Sequence, residues 1–134
     1  MAVVNGAREL ADALDTGADR VDQLMTVVVE KSAADLVALT QRNASGRPGP
    51  NAPTGDYRGS WRVEPLRDGA DEATRSVSTD RPQARRLEYG FVGPDSLGRV
   101  FHQDPLPHHG PAVDVIEPQF YAAMEAVTRQ ATER

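Results

Sequence analysis

Residues 85–91, Arg85-Arg86-Leu87-Glu88-Tyr89-Gly90-Phe91, decide how the rest of the chain is read. Leu87, Tyr89 and Phe91 are apolar, Arg86 and Glu88 are charged, and Gly90 can take the positive φ at which a turn of helix stops. The segment reads as a docked corner: a short helix that ends at Gly90, sets Tyr89 and Phe91 into a small core, and joins two halves that cannot otherwise close over it. Leu87, Glu88, Tyr89 and Gly90 are its structural residues.

On the N-terminal side of the corner, Leu10, Leu14, Val21, Leu24, Met25, Val28, Leu36 and Leu39 recur in three- and four-residue steps, which predicts amphipathic helix from about residue 6 to 41. Asp15-Thr16-Gly17 is the expected break into a short and a long piece, since a glycine weakens a helix interior by about 1 kcal/mol. Residues 43–56 carry Gly46, Pro48, Gly49, Pro50, Pro53 and Gly55, a density that predicts a mobile loop. Residues 60–66 alternate Trp61 and Val63 against Arg62 and Glu64, as a half-buried strand does, and end at Pro65. Asp68-Gly69 is the expected turn, and residues 74–79 a weaker second strand, making a hairpin. Pro82 suits the first position of the corner helix.

On the C-terminal side, residues 93–111 are again rich in Gly and Pro and read as a mobile loop, with Arg99-Val100-Phe101-His102 a possible third strand. Val113, Ile116, Phe120, Ala123, Met124 and Val127 then share one face of a terminal helix from residue 113 to about 132, with Pro118 placed in its early turns. The expected fold is therefore a single α+β domain over residues 1–134. A small antiparallel sheet of about three to four strands is packed by a long N-terminal and a C-terminal helix.

Composition narrows the function. A chain of 134 residues builds one core, and an apolar share of 39% makes it modest, so a partner surface adding stability, including self-assembly, is expected. The chain has no cysteine, which removes disulfides and thiolate metal sites and suits a reducing cytoplasm. No stretch has the length of a signal peptide or membrane span, so a soluble protein that is not exported is expected. A net charge of −5 argues against duplex DNA as the main ligand, although an acidic wall lets a polyanion pass without sticking.

The histidine-rich run His102-Gln103-Asp104-Pro105-Leu106-Pro107-His108-His109 is the one metal lure. Its prolines hold it extended, no second ligand cluster exists, and a Pro-braced loop or subunit contact is the better reading. Ser60, Ser76, Ser78 and Ser96 lack a nucleophile elbow, Asp68, Asp71 and Glu72 surround a turn, and no phosphate loop is present. No catalytic, metal or cofactor residue is expected, and the chain is read as not an enzyme.

Three stretches in fixed order resemble the small head–tail joining and tail-completion proteins of long-tailed bacteriophages and prophages. Ala52-Pro53-Thr54-Gly55-Asp56-Tyr57-Arg58-Gly59-Ser60 is similar to that family's Pro-x-Thr-Gly-x-Leu-Arg-x-Ser step from helix to strand, with Tyr57 in the leucine position. Ala84-Arg85-Arg86-Leu87-Glu88-Tyr89-Gly90 resembles its Tyr-Ala-x-x-Val-Glu-Phe-Gly segment, with Gln83 in the aromatic position and Phe91 in place of the following threonine. Pro107-His108-His109-Gly110-Pro111-Ala112 resembles its Pro-x-x-x-x-Pro-Ala approach to the last helix.

The resemblance implies an α+β protomer of a sixfold ring at the head-proximal end of the tail, as tail terminator or neck component. It would touch a head connector or stopper protein on one side and the major tail tube protein on the other, with genomic DNA passing through an acidic or neutral lumen. It implies a place in the virion, with assembly in the bacterial host cytoplasm and no membrane partner. The two loops are expected to order on neighbouring subunits, with Arg47, Pro48, Asn51, Pro53, Tyr57, Arg58, Phe101, His102, His108 and His109 as contact residues. On that expectation, a chain lacking residues 46–52 folds but fails to join particles. The competing readings are a toxin-like or regulatory protein-binding module outside the virion and, more remotely, a metal-dependent hydrolase built on residues 102–109.

Overall fold

The structure is a computed structural model that describes residues 3–66 and 74–132. The fold is α+β: a long N-terminal helix and a C-terminal helix with two small antiparallel sheets of two strands each. Helix α1 spans Val3–Asn43. It runs unbroken through Gly17, so the expected break at residues 15–17 does not occur: one glycine's penalty of about 1 kcal/mol is too small to stop a helix that propagates on both sides. From residue 21 onward its inward residues keep the three- and four-step spacing, passing through Ala33 and Leu36 to the fully buried Thr40; Ala44, in the turn that follows, is also fully buried.

Helix α4 spans His109–Thr132 and lies against α1; these two helices share the largest interface among the described elements. The buried apolar residues are Ala112, Ile116 and Val127 of α4, Ala33 of α1, Ala44 just beyond its end, and Trp61. The predicted apolar face of α4 is thus the packed one, but the helix starts four residues before residue 113. Pro118 consequently lies inside the helix rather than in its first turn. Pro118 and Asp114, whose carbonyl loses its donor there, are both exposed, so water can take the missing partner's place.

Between the two helices, residues 44–55 are turns that lead to the single-turn helix α2, Asp56–Gly59. Strands β1 (Arg62–Val63) and β2 (Val77–Ser78) pair antiparallel, Arg62 opposite Ser78 and Val63 opposite Val77. This is the predicted hairpin, shorter than expected; its Asp68-Gly69 turn lies outside the described residues. Helix α3 covers Ala84–Tyr89, and Pro82 sits in the turn before it, not at its first helical position.

Strands β3 (Phe91–Pro94) and β4 (Val100–Gln103) form a second antiparallel ribbon, Phe91 opposite Gln103 and Pro94 opposite Val100. The four strands are therefore divided between two ribbons instead of sharing one sheet. Residues 93–111 are not a continuous loop: they contain half of β3, all of β4 and the first turn of α4.

The loop at 43–56 also satisfies more of itself than its composition suggests. Gly46 N–H donates to the Pro50 carbonyl at 2.9 Å, and Arg47 Nη1 donates to the Gly49 carbonyl at 3.1 Å. Gly49 and Pro50 are buried. Removing residues 46–52 would therefore strip packed backbone from beside the end of α1.

Candidate functional site

The corner at residues 85–91 is built as a joint between α3 and α4. Gly90 accepts a conformation of φ 80° and ψ 171° that a side chain would strain, and its N–H donates to the Arg86 carbonyl at 2.8 Å, closing α3. A Cβ there would stand 2.7 Å from the Gln103 carbonyl oxygen. Leu87 accepts a hydrogen bond through its carbonyl from Leu106 N–H at 2.7 Å, laying the chain before α4 along the corner. Tyr89 is 75% exposed, so the expected burial of both corner aromatics is corrected: only Phe91 is covered, by the Arg86 guanidinium 4.1 Å above its ring.

Glu88 is the central residue of the joint. Its Oε2 accepts from the backbone N–H of His108 and of His109, each at 3.0 Å, and its Oε1 accepts from Gly110 N–H at 2.8 Å. A helix start leaves four backbone donors without partners. Here three go to one carboxylate and the fourth position is Pro111, which has none to offer. The negative charge also lies at the positive end of the α4 dipole. Gly110 fits because a Cβ there would lie 3.1 Å from Glu88 Oε1. Burial pushes the Glu88 carboxyl upward, but the three N–H donors, with a smaller contribution from the adjacent His108 imidazole, outweigh it and hold it below the usual range.

His108 is fully buried between Glu88 and Tyr57. Its Nδ1 lies 2.7 Å from the Leu106 carbonyl oxygen and 3.0 Å from Glu88 Oε2, two acceptors, so this nitrogen carries the proton. In the neutral ring Nε2 then accepts from the Tyr57 hydroxyl at 2.6 Å. The His108 carbonyl accepts from Asn43 Nδ2 at 3.0 Å, tying the start of α4 to the end of α1. His109 Nδ1 is 3.1 Å from Thr40 Oγ1, and its ring stacks on Trp61 at 4.6 Å between centroids. Tyr57 and His108 each meet Trp61 edge to face.

Burial raises the Tyr57 phenol to about 12, against a downward pull from the Trp61 side chain and with a smaller rise from the Glu88 charge. The Trp61 Nε1–H itself is buried with no partner at hydrogen-bond geometry, so its influence on the phenol is that of a nearby dipole. Burial also pushes the His109 imidazole below its ordinary value; the Glu88 charge opposes this and His108 reinforces it.

Tyr57, His108 and Glu88 stand in the order of a hydroxyl–imidazole–carboxylate relay, with little capacity for general-base work. The phenol is held protonated, the imidazole has no exposed surface, and both carboxylate oxygens are bound to backbone donors.

The expected contact residues therefore separate. Arg47, Pro48, Asn51, Pro53, Arg58, Phe101 and His102 are exposed. Tyr57 and His109 are half-buried in the joint, and His108 is inside the fold, because the cap on α4 requires its backbone and Tyr57 its ring. His102 pairs instead with Asp104 at 2.8 Å on the surface, so the imidazoles do not converge. Among the described residues no group of three or more His, Cys, Asp or Glu is placed to hold a metal ion, and no helix is long and apolar enough to cross a membrane. Thr40 and Asn43 are joint residues that sequence reasoning did not single out. Thr40 could have been found as the next inward step after Leu36 on α1.

Two concave surfaces flank the joint. One, of about 390 Å³, lies over the loop before α2 and is lined by Arg47, Asn51, Pro53 and Tyr57 together with Gln83 and Gln103. The other, also about 390 Å³, is an apolar groove between α1, β2 and α4, lined by Ala33, Leu36, Val113, Ile116 and Phe120, with Arg75 and Glu117 beside them. Compared with known proteins, the chain matches no family model, no curated protein and no solved structure.

Proposed function

We propose that this chain is a structural virion protein of a long-tailed bacteriophage, the protomer of a sixfold ring at the head-proximal end of the tail. The ring terminates the tail tube, joins it to the head connector, or does both, and DNA passes through its lumen. The partners are further copies of the chain, a connector or stopper protein and the major tail tube protein. The role is mechanical, with no catalysis and no cofactor, and assembly takes place in the cytoplasm of the bacterial host.

The observation that supports this most is the convergence of the three resembling stretches on one joint. Tyr57 of the first bonds His108 of the third, and Glu88 of the second caps the helix that the third begins. Stretches far apart in the chain thus carry one structural unit, which gives a physical reason for their occurring together and in order. A ring protomer also needs two different complementary faces, and the exposed side chains of Arg47, Pro48, Asn51, Pro53 and Arg58 on one side and the β3–β4 ribbon on the other supply candidates for them.

Electron microscopy of particles assembled without this protein tests the proposal. Overlong tubes without heads identify a terminator, and tails of normal length beside filled heads identify a neck component. Normal infectious particles overturn the virion reading. The α1–α4 groove alone favours a second reading, a protein-binding module outside the virion; that reading requires the protein to be absent from purified particles.

A further inference from the structure

The run at residues 102–109 gathers no metal-ligand cluster among the described residues, but its first half assembles a different set of groups around one bond. Asp104-Pro105 is the one Asp–Pro bond in the chain. An aspartate can close a five-membered ring by adding its side-chain carboxylate to its own backbone carbonyl carbon, a case of the carboxylate acting as nucleophile. Proline is the best leaving group for that attack, because its nitrogen belongs to a tertiary amide with a weaker, more basic linkage.

Each requirement of the reaction has a group in place. His102 Nε2–H donates to Asp104 Oδ1 at 2.8 Å, and Asp104 Oδ2 carries no hydrogen bond among the described residues. Gln103 Nε2–H donates at 2.8 Å to the Asp104 carbonyl oxygen, the atom on which negative charge grows during the attack. Both donors come from the end of β4. Beyond the bond, Pro105 Cδ lies 3.0 Å from where a Gly90 Cβ would stand, and Leu106 N–H is tied to the Leu87 carbonyl at 2.7 Å. The bond is thus held from both sides, which favours an intramolecular attack. Water reaches it, since the Asp104 side chain is 81% exposed. Asp104 is the one ionic partner of His102 among the described residues, and the residue opposite His102 in the ribbon is the uncharged Val92.

We infer that the chain cuts itself between Asp104 and Pro105 in mildly acid solution. Oδ2 bonds to the Asp104 carbonyl carbon and closes a cyclic anhydride. The carbon–nitrogen bond breaks, and its electron pair stays on the Pro105 nitrogen, which takes the proton of the His102 imidazolium. Water then opens the anhydride, leaving Asp104 as a carboxyl terminus with its side chain restored, and the proton released returns to His102. Helix α4 stays in place after the cut, because Glu88 still holds the N–H groups of His108, His109 and Gly110 and α4 still packs on α1. The ribbon is then tethered through β3 alone. This is a single event per chain, without turnover, and it does not depend on the proposed ring.

Intact-mass spectrometry of the purified full chain, incubated from about pH 3 to about pH 8, tests it. Cutting needs the imidazolium and the carboxylate together, so the rate should peak near about pH 5 and fall on both sides. The fragments, residues 1–104 and 105–134, should together weigh one water more than the chain. His102→Gln should slow the cut about a hundredfold, and Asp104→Ala should abolish it. Both positions are exposed, so the circular dichroism spectrum of each variant should be unchanged. Three results would each overturn the proposal: a chain that stays intact across the series, a cut that persists in Asp104→Ala, or a rate that only climbs with acid and is equal in His102→Gln and in urea. The last would be unassisted hydrolysis of an exposed bond.

Discussion

Glu88 concentrates on one side chain what a helix start usually obtains from a residue beside it. Replacing it by alanine leaves three N–H groups at the head of α4 without their acceptor and the buried His108 Nδ1 with the Leu106 carbonyl in place of two acceptors, at an expected cost of about 2–3 kcal/mol, readable by denaturant unfolding. Loss of less than 0.5 kcal/mol, roughly the level of an ordinary surface substitution, would mean that water replaces the cap. Tyr57→Phe removes only the proton given to His108 Nε2 and should cost about 1–3 kcal/mol, the penalty of one buried acceptor left unmade. Acid should loosen the same joint in two stages. The His109 imidazole is held below its ordinary 6.5, so the unfolded chain binds more protons than the folded one as pH falls through that value, and stability drops. Glu88 is held below 4.5, so the stability it supplies is present above that pH and is lost as pH falls through its folded value. Thermal unfolding between pH 7.5 and pH 3 should show both declines, the first absent in His109→Gln and the second in Glu88→Gln; a midpoint that rises on acidification contradicts the assignment.

The elements show what local pattern carries and where it stops. Helices α1 and α4 were legible because a face of about three residues in seven repeats along each, and the β1–β2 hairpin because Trp61 and Val63 alternate with charges. The start of α4 was not legible, since its cap comes from Glu88, twenty residues earlier, whereas sequence rules look for Ser, Thr, Asp or Asn next to the helix. Strand β3 was missed because Gly93 and Pro94 read as loop, and only pairing with β4 makes them a ribbon. Gly17 shows the opposite error, a local weakness overridden by the helix around it. Gly17→Ala should therefore raise stability by about 0.5–1 kcal/mol, whereas a break at that point would leave it neutral or harmful. At the corner, Gly90→Ala should cost more than 2 kcal/mol, combining roughly 1–3 kcal/mol of backbone strain with the clash against the Gln103 carbonyl. Unfolding curves of the two variants, moving in opposite directions, check both assignments.

At the scale of the whole molecule, the described core is thin. Few large side chains are fully buried, much of the described interior is alanine, and polar groups such as Thr40 and His108 occupy its centre. If copies associate as proposed, association adds stability to so thin a core, and the unfolding midpoint should rise with protein concentration over about a hundredfold range. On the proposed ring, the net charge of −5 predicts an acidic or neutral lumen past which DNA slides without sticking. A strongly basic lumen in the assembled ring contradicts that part of the proposal.

The most direct measurement is the copy number of this protein in purified virus particles, obtained by quantitative mass spectrometry against the major tail tube protein. A single ring predicts about six copies per particle, a closed cyclic set. Its absence from intact, infectious particles contradicts the central claim.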